Sequence, residues 1–253
     1  MRLANKTIWV TGGSGDIGLA CSQLLIQEGA FLVNFDLKDP DVNPEQVRFY
    51  LCDCTDPQDV KKNFQKVMDE VKTLDGLLHI AGGSGRKFGD GPLHDLTLTG
   101  WNKTIEMNLT SAMLSNQLII QHWIESNLGG SIVNVSSVLA DHPAPKYFYT
   151  HAYAAAKAGL NGFTKSIAAY YADRKIRANV ISPGLIATNM SARAQQNEDI
   201  QHYLQTKQPL QQGMGLPKDI AGIATLLLSD ESSFITGQII DVDGGWGLSE
   251  GQY

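Results

Sequence analysis

The chain is short of cysteine, of net positive charge and of long apolar runs, and each shortage argues against a class of function. Three cysteines in 253 residues, Cys21, Cys52 and Cys54, fit neither a metal-ligand spacing nor a disulfide framework. Cys52 and Cys54 stand two apart in a strand-like stretch, as buried reduced thiols would. Twenty Lys and Arg face 26 Asp and Glu, a formal net charge of −6. No basic cluster breaks that balance, which argues against a nucleic-acid surface. No run reaches membrane-spanning length, and the opening MRLANKTIWV enters a strand pattern without the apolar core of a signal peptide. The expectation is a cytoplasmic protein with neither nucleic acid nor membrane among its partners. Linkers and internal repeats are missing too, so one domain is expected over residues 1–253.

What is present is a regular alternation of short apolar runs and longer helical patterns. Strand candidates lie at 7–10, 31–35, 47–51, 74–80, 131–137, 177–182 and 238–242. Periodic segments near 17–28, 57–72, 99–127, 152–173 and 217–229 alternate with them. This pattern predicts an α/β fold, a doubly wound parallel sheet with helices on both faces. A polar, Gln-rich stretch over 184–213 is too long for a plain connection in a compact domain and is expected to form a substrate lid.

In such a sheet, ligands bind beyond the carboxyl ends of the strands, where the strand order reverses. The first strand runs into Thr11-Gly12-Gly13-Ser14-Gly15-Asp16-Ile17-Gly18 and then a helix. Glycines there let backbone N–H groups approach a pyrophosphate at the positive end of the helix. Eighteen residues past Gly18 the second strand ends at Asp36. A carboxylate at that point accepts hydrogen bonds from both hydroxyls of an adenosine ribose and repels a 2′-phosphate. Glycines alone also make tight turns, but strand, loop, helix, strand and acid in this order point to a dinucleotide. The loop holds no Arg or Lys to neutralise a 2′-phosphate, although Lys38 follows Asp36, so NAD is expected over NADP.

A second pattern is Tyr-x-x-x-Lys, which places a phenol and an ammonium one turn apart on a helix face. A positive charge there can lower the phenol's pKa and make it a general acid/base. The spacing occurs at Tyr153/Lys157, Tyr171/Lys175 and Tyr203/Lys207, so position has to choose among them.

Taken together, these motifs resemble the short-chain dehydrogenase/reductase family over nearly the whole chain, which implies a Rossmann-type fold. Thr11, Gly12 and Gly18 match its Thr-Gly-x-x-x-Gly-x-Gly loop. Asp16 stands where the middle glycine is usual, with Gly15 one place earlier, and its carboxylate has to point away from a pyrophosphate. The resemblance implies cofactor contacts from Gly12, Ser14, Asp16, Ile17 and Gly18 in the loop. It also makes Asp53 an adenine-contacting aspartate, with the Cys54 backbone beside it. His79-Ile80-Ala81-Gly82 replaces the usual Asn-Asn-Ala-Gly. Ala81 and Gly82 keep the backbone path past the cofactor, and His79 reads as a structural histidine rather than a base.

The family's catalytic asparagine corresponds to Asn108, at a place where the family breaks a long helix and holds a water for a proton relay. Its catalytic serine, the second of a pair, corresponds to Ser137. Tyr153 and Lys157 open the helix after that strand and complete the catalytic set. Tyr171/Lys175 falls at the helix's far end and Tyr203/Lys207 in the lid; each is expected to be a packing or surface tyrosine with a solvated lysine. Pro183 and Gly184 match the family's turn after the sixth strand, with the Ile186 backbone on the nicotinamide carboxamide and the Thr188 hydroxyl on carboxamide or pyrophosphate.

The resemblance implies NAD(H)-dependent interconversion of a small-molecule secondary alcohol and ketone. Ser137 would hold the substrate oxygen, Tyr153 would carry the proton, and Lys157 would bind the nicotinamide ribose. An NADPH-dependent 3-oxoacyl-thioester reductase is the alternative within the family, and a catalytically silent dinucleotide sensor or scaffold the alternative outside it. The family also implies a homotetramer, in which Trp246 covers either a neighbouring site or its own core. Tyr147, Phe148, Tyr149, His151, Arg86, Lys87, Phe88 and Arg193 bring aromatic and basic groups near the site. They suit an aromatic or carboxylated alcohol, or else they are packing and solvated residues.

Overall fold

A computed structural model describes residues 1–39 and 45–252 of the chain. Seven strands form one sheet: β1 (Thr7–Thr11), β2 (Phe31–Asp36), β3 (Val47–Leu51), β4 (Gly76–His79), β5 (Gly130–Val135), β6 (Ile176–Pro183) and β7 (Ile239–Val242). Their order is β3-β2-β1-β4-β5-β6-β7, and every pairing is parallel. Helices alternate with them: α1 (Asp16–Gln27), α2 (Pro57–Glu70), α3 (Leu98–Ile105), α4 (Ser111–Glu125), α5 (His151–Tyr171), α6 (Ala192–Gln195), α7 (Glu198–Lys207) and α8 (Pro217–Leu228). This is the doubly wound, Rossmann-type architecture expected from the β-α alternation.

The strands form because their apolar side chains alternate between two buried faces. Ile8 and Val10 pack with Leu25 of α1 and Leu227 of α8 on one face. Trp9, between them, packs with Phe64 of α2, Trp123 of α4 and Ile167 of α5 on the other. A third apolar cluster joins Ile200, Tyr203 and Leu204 of α7 to Trp246 near the C-terminus. It anchors the 184–213 segment, which is helical over much of its length. Trp246 covers its own core: it is 1% exposed and its indole donates to the His142 carbonyl at 3.0 Å. Among the described residues no helix is long and apolar enough to cross a membrane.

Strand order reverses between β1 and β4, opening a crevice at their carboxyl ends. The β4 ladder is shorter than the apolar run at 74–80. The N–H groups of Ile80 and Ala81 both donate to the Thr11 carbonyl at 3.0 Å, curling the chain around that oxygen. The helical pattern over 99–127 is also interrupted. A π-helical turn at Glu106–Thr110 separates α3 from α4, as the family resemblance implies at Asn108.

Candidate active site

The crevice widens into a cavity of about 640 Å³. Every residue assigned to the site from the sequence lines it, including Gly12, Asp36, Asn108, Ser137, Tyr153 and Lys157.

At one end lies the glycine loop. Gly12 has a φ of +73°, and a Cβ there would meet the Ala81 nitrogen at 2.6 Å, so only glycine fits. At Gly18 a Cβ would meet the Gly12 oxygen at 2.2 Å. The loop is held from beneath by Asn34, whose Oδ1 accepts from Gly13 N at 3.1 Å and whose Nδ2 donates to Ser14 Oγ at 3.2 Å. Asn34 escapes sequence reading because only the tertiary fold gives its buried amide partners.

Asp36 accepts from Ser14 N at 2.9 Å through Oδ2 and from Leu37 N at 2.7 Å through Oδ1. Each oxygen keeps a lone pair for a further donor. The carboxylate of Asp16 does point away from the loop. Its two oxygens accept from Asn189 N at 2.8 Å and Asn189 Nδ2 at 3.2 Å, tying the loop to the segment after β6. Asp53 turns its own Oδ1 to Thr55 N and Oγ1 at 2.9 and 2.7 Å. Cys52 is buried, whereas Cys54 is only half-buried; the neighbouring Cys52 side chain, then burial, hold its thiol well above the usual range.

Open space, rather than packing, surrounds Gly15 and Gly83. A Cβ on Gly15 would find only the Gly12 oxygen, at 3.7 Å, and one on Gly83 would meet nothing within 4 Å. Both line the cavity, which therefore offers bare backbone to a ligand. A cavity lined by a carboxylate, a helix N-terminus and bare backbone fits a dinucleotide.

At the other end, Ser137 follows β5 and accepts from Leu139 N at 3.2 Å. Tyr153 sits in the first turn of α5, placed by Asp90. That buried carboxylate accepts from Ala152 N at 3.0 Å and Tyr153 N at 2.9 Å. It caps a helix whose N-cap residue, Thr150, makes no side-chain cap. Asp90 lies in a Gly-Asp-Gly turn that carries no sequence signal for this role.

The electrostatics differ from the sequence expectation. Burial pushes the Tyr153 phenol above its usual value, and a hydrogen bond with Ser137 works in the opposite direction. Lys157 does not lower it here. Its ammonium lies 5.7 Å from the phenol ring centroid and donates to the Val135 carbonyl at 2.8 Å. Burial lowers Lys157 itself to about 8.

Asn108 sits in the π-helical turn, fully buried. Its Oδ1 accepts from Gly83 N at 3.0 Å, and its Nδ2 donates to Gly83 O and Thr104 O, both at 2.9 Å. The amide thus fastens the loop after β4 to the helix break. His79 is structural, as expected: its ring hydrogen-bonds Thr11 Oγ1 at 2.8 Å and Ser115 Oγ at 3.0 Å. Burial, then the charge of Lys157, lower it to about 3.

The other two Tyr-Lys pairs stay out of the cavity, but one expectation fails. Lys175 is exposed, whereas Lys207 is 7% exposed. Its ammonium lies 5.3 Å from the Trp246 ring centroid and donates to the Ser249 carbonyl. The C-terminal tail, distant in sequence, buries it.

A family model described as enoyl-(acyl carrier protein) reductase matches residues 13–247. The chain belongs to the short-chain dehydrogenase/reductase family. Among members of the family, it is 34% identical to a 3-oxoacyl-acyl-carrier-protein reductase of Thermotoga maritima, over 97% of this chain and 99% of the relative. It is 29% identical to glucose 1-dehydrogenase 2 of Bacillus subtilis, over 99% and 98%. A short-chain dehydrogenase from Leptospira borgpetersenii, solved with bound NAD+, is 30% identical. It superposes with a TM-score of 0.88 over 98% of this chain and 94% of that one. As a short-chain dehydrogenase/reductase, the chain is an oxidoreductase.

Proposed function

We propose that the chain is an NAD(H)-dependent oxidoreductase interconverting a secondary alcohol and a ketone on a small molecule. One observation carries the reading: Tyr153, Ser137 and buried Lys157, one helix turn from Tyr153, line one cavity with Asp36. A nicotinamide bound there supplies the carbon that accepts or gives the hydride. Ser137 orients the substrate oxygen. Tyr153 takes the alcohol proton in oxidation and returns it in reduction, a transfer worth roughly 10²–10⁴-fold for a positioned group. Lys157 would hold the nicotinamide ribose. The Ile186 backbone and the Thr188 hydroxyl hold the carboxamide, Asp53 and Cys54 border the adenine, and residues 184–213 act as a lid. Asn108 supports a proton relay at the break between α3 and α4.

NAD is proposed over NADP on Asp36, whose charge opposes a 2′-phosphate and whose free lone pairs suit the ribose hydroxyls. The identity to the Thermotoga maritima reductase supports a second reading, reduction of a 3-oxoacyl thioester with NADPH. A cytoplasmic homotetramer is proposed on the family resemblance.

The experiment is a turnover screen with NAD+ and NADP+ over sugars, polyols, hydroxy acids, steroids and aryl alcohols. A parallel assay with NADH and NADPH uses a 3-oxoacyl thioester. Alcohol oxidation favouring NAD+ supports the first reading, and NADPH-dependent thioester reduction alone supports the second. Tight NAD binding without turnover of any substrate would leave a silent sensor.

A further inference from the structure

We propose that Arg86 and Arg193 clamp a carboxylate on the substrate, remote from the reacting oxygen. This rests on the oxidoreductase reading of the same cavity and names its substrate class.

Three connections that leave the carboxyl edge of the sheet meet at one atom. Arg86, in the short helix after β4, donates through Nη2 to the Tyr147 carbonyl at 3.2 Å. Arg193 of α6, in the segment after β6, donates through Nη2 to that same oxygen at 3.0 Å. Tyr147 itself lies in the connection after β5. Two guanidiniums thus share one neutral acceptor, Arg86 half-buried and Arg193 exposed to water. Arg86 is also partly withdrawn from water, its guanidinium carbon lying 5.3 Å from the Tyr149 ring centroid. Burial, then the neighbouring charge of Arg193, act against its own charge, while Tyr149 and Asp90 favour it.

One nearby acid, Asp90, favours the charge of Arg86 without bonding to it. The arginine ion pairs found among the described residues belong to Arg2 and Arg174. Asp90, which faces Arg86, has both oxygens on the α5 backbone. Asp16, Asp36 and Asp53 line the cavity at its dinucleotide end. Two forks held on one neutral oxygen, with no ion pair to either among the described residues, leave donors for an anion.

Both arginines line the same cavity as Ser137 and Tyr153, and Leu139, Phe148 and Leu185 supply apolar wall. The cavity therefore suits a hydrocarbon body with an alcohol at one end and an anion at the other. A carboxylate is favoured over a phosphate. Phosphate sites usually draw on backbone N–H groups at a helix start, and here the first such groups of α5 are taken by Asp90.

The test is a ladder of secondary alcohols running from 3-hydroxybutanoate to 6-hydroxyheptanoate. Each is compared with its carboxamide and with the phosphate monoester of the matching diol. The clamp predicts a kcat/KM preference for carboxylate over carboxamide of roughly 10- to 100-fold, carried mainly by KM. Arg193→Gln and Arg86→Gln should each bring that ratio toward one, and Arg193→Lys should keep part of it. Because the wild-type ratio is read first, a variant that misfolds does not remove the test. A wild-type ratio near one, a ratio unchanged in both Gln variants, or a preference for the phosphates overturns the clamp. Calorimetry of the same acids and amides on NADH-saturated protein reads the clamp without turnover. Tighter carboxylate binding that Arg193→Gln abolishes supports it, and equal or absent binding overturns it. Discrimination in binding with no turnover counts against the oxidoreductase reading, not against the clamp.

Discussion

Asp90 fixes the backbone of Tyr153 from another part of the chain, its Oδ2 accepting the Tyr153 N–H at 2.9 Å. The loop after β4 thereby sets where the α5 helix begins, and with it where the phenol stands. Asp90→Ala leaves two buried N–H groups without a partner. We expect a loss of about 1–3 kcal/mol in stability and a fall in kcat larger than any change in NADH affinity. Asp90→Asn, which keeps one acceptor, should be milder on both counts. Urea unfolding with steady-state kinetics checks this, and unchanged kcat in Asp90→Ala would contradict it.

Lys157 is kept at a cost to the dinucleotide-free protein. Burial lowers it from 10.5 to about 8, equivalent to roughly 3 kcal/mol. The unfolded chain binds the proton across pH 8–10.5 and the native protein does not, so this penalty is full below pH 8 and fades above it. Lys157→Met abolishes activity but removes that penalty, while leaving the Val135 carbonyl without its donor. The variant's unfolding free energy relative to wild type should therefore decline as pH rises from 8 toward 10. A difference independent of pH would contradict the assignment.

His79 makes the opposite end of the pH range informative. It is fully buried and lowered from 6.5 to about 3, so the native protein refuses a proton that the unfolded chain accepts. Stability is lost as pH falls below 6.5, by roughly 4–5 kcal/mol once pH 3 is reached. In His79→Asn, denaturant unfolding should show a shallower decline between pH 6.5 and 4 than wild type. Parallel declines would show that His79 is not held neutral.

Asp36 should set cofactor choice by charge. Asp36→Asn keeps an acceptor for the glycine loop while removing the repulsion toward a 2′-phosphate. The ratio of kcat/KM for NAD+ to that for NADP+ is expected to fall by roughly 10- to 100-fold. An unmoved ratio would place the discrimination elsewhere.

The fold was legible in the sequence because a parallel sheet covered on both faces needs near-continuous apolar strands, and 7–10 and 31–35 read that way directly. The Tyr153/Lys157 pair was separable from its two look-alikes because its position follows the Ser137 strand. Features made by distant partners were not legible. Asn34 and Asp90 acquire their roles only from backbone groups of other segments. Lys207 is buried by a tail that nothing in its own helix announces. The direction of the Tyr153 shift was hidden for a related reason: spacing places a lysine near a phenol, but depth decides whether burial or charge wins.

The central claim is that Tyr153 carries the proton. Its phenol, raised by burial, must ionise for oxidation and stay protonated for reduction. Alcohol oxidation should therefore rise with pH on the alkaline side, and ketone reduction should fall there. The most direct measurement is Tyr153→Phe, assayed for turnover and, by NADH fluorescence, for dinucleotide binding. The account predicts turnover reduced by roughly 10²–10⁴-fold or more, with NADH binding largely preserved. Wild-type turnover in Tyr153→Phe would contradict it.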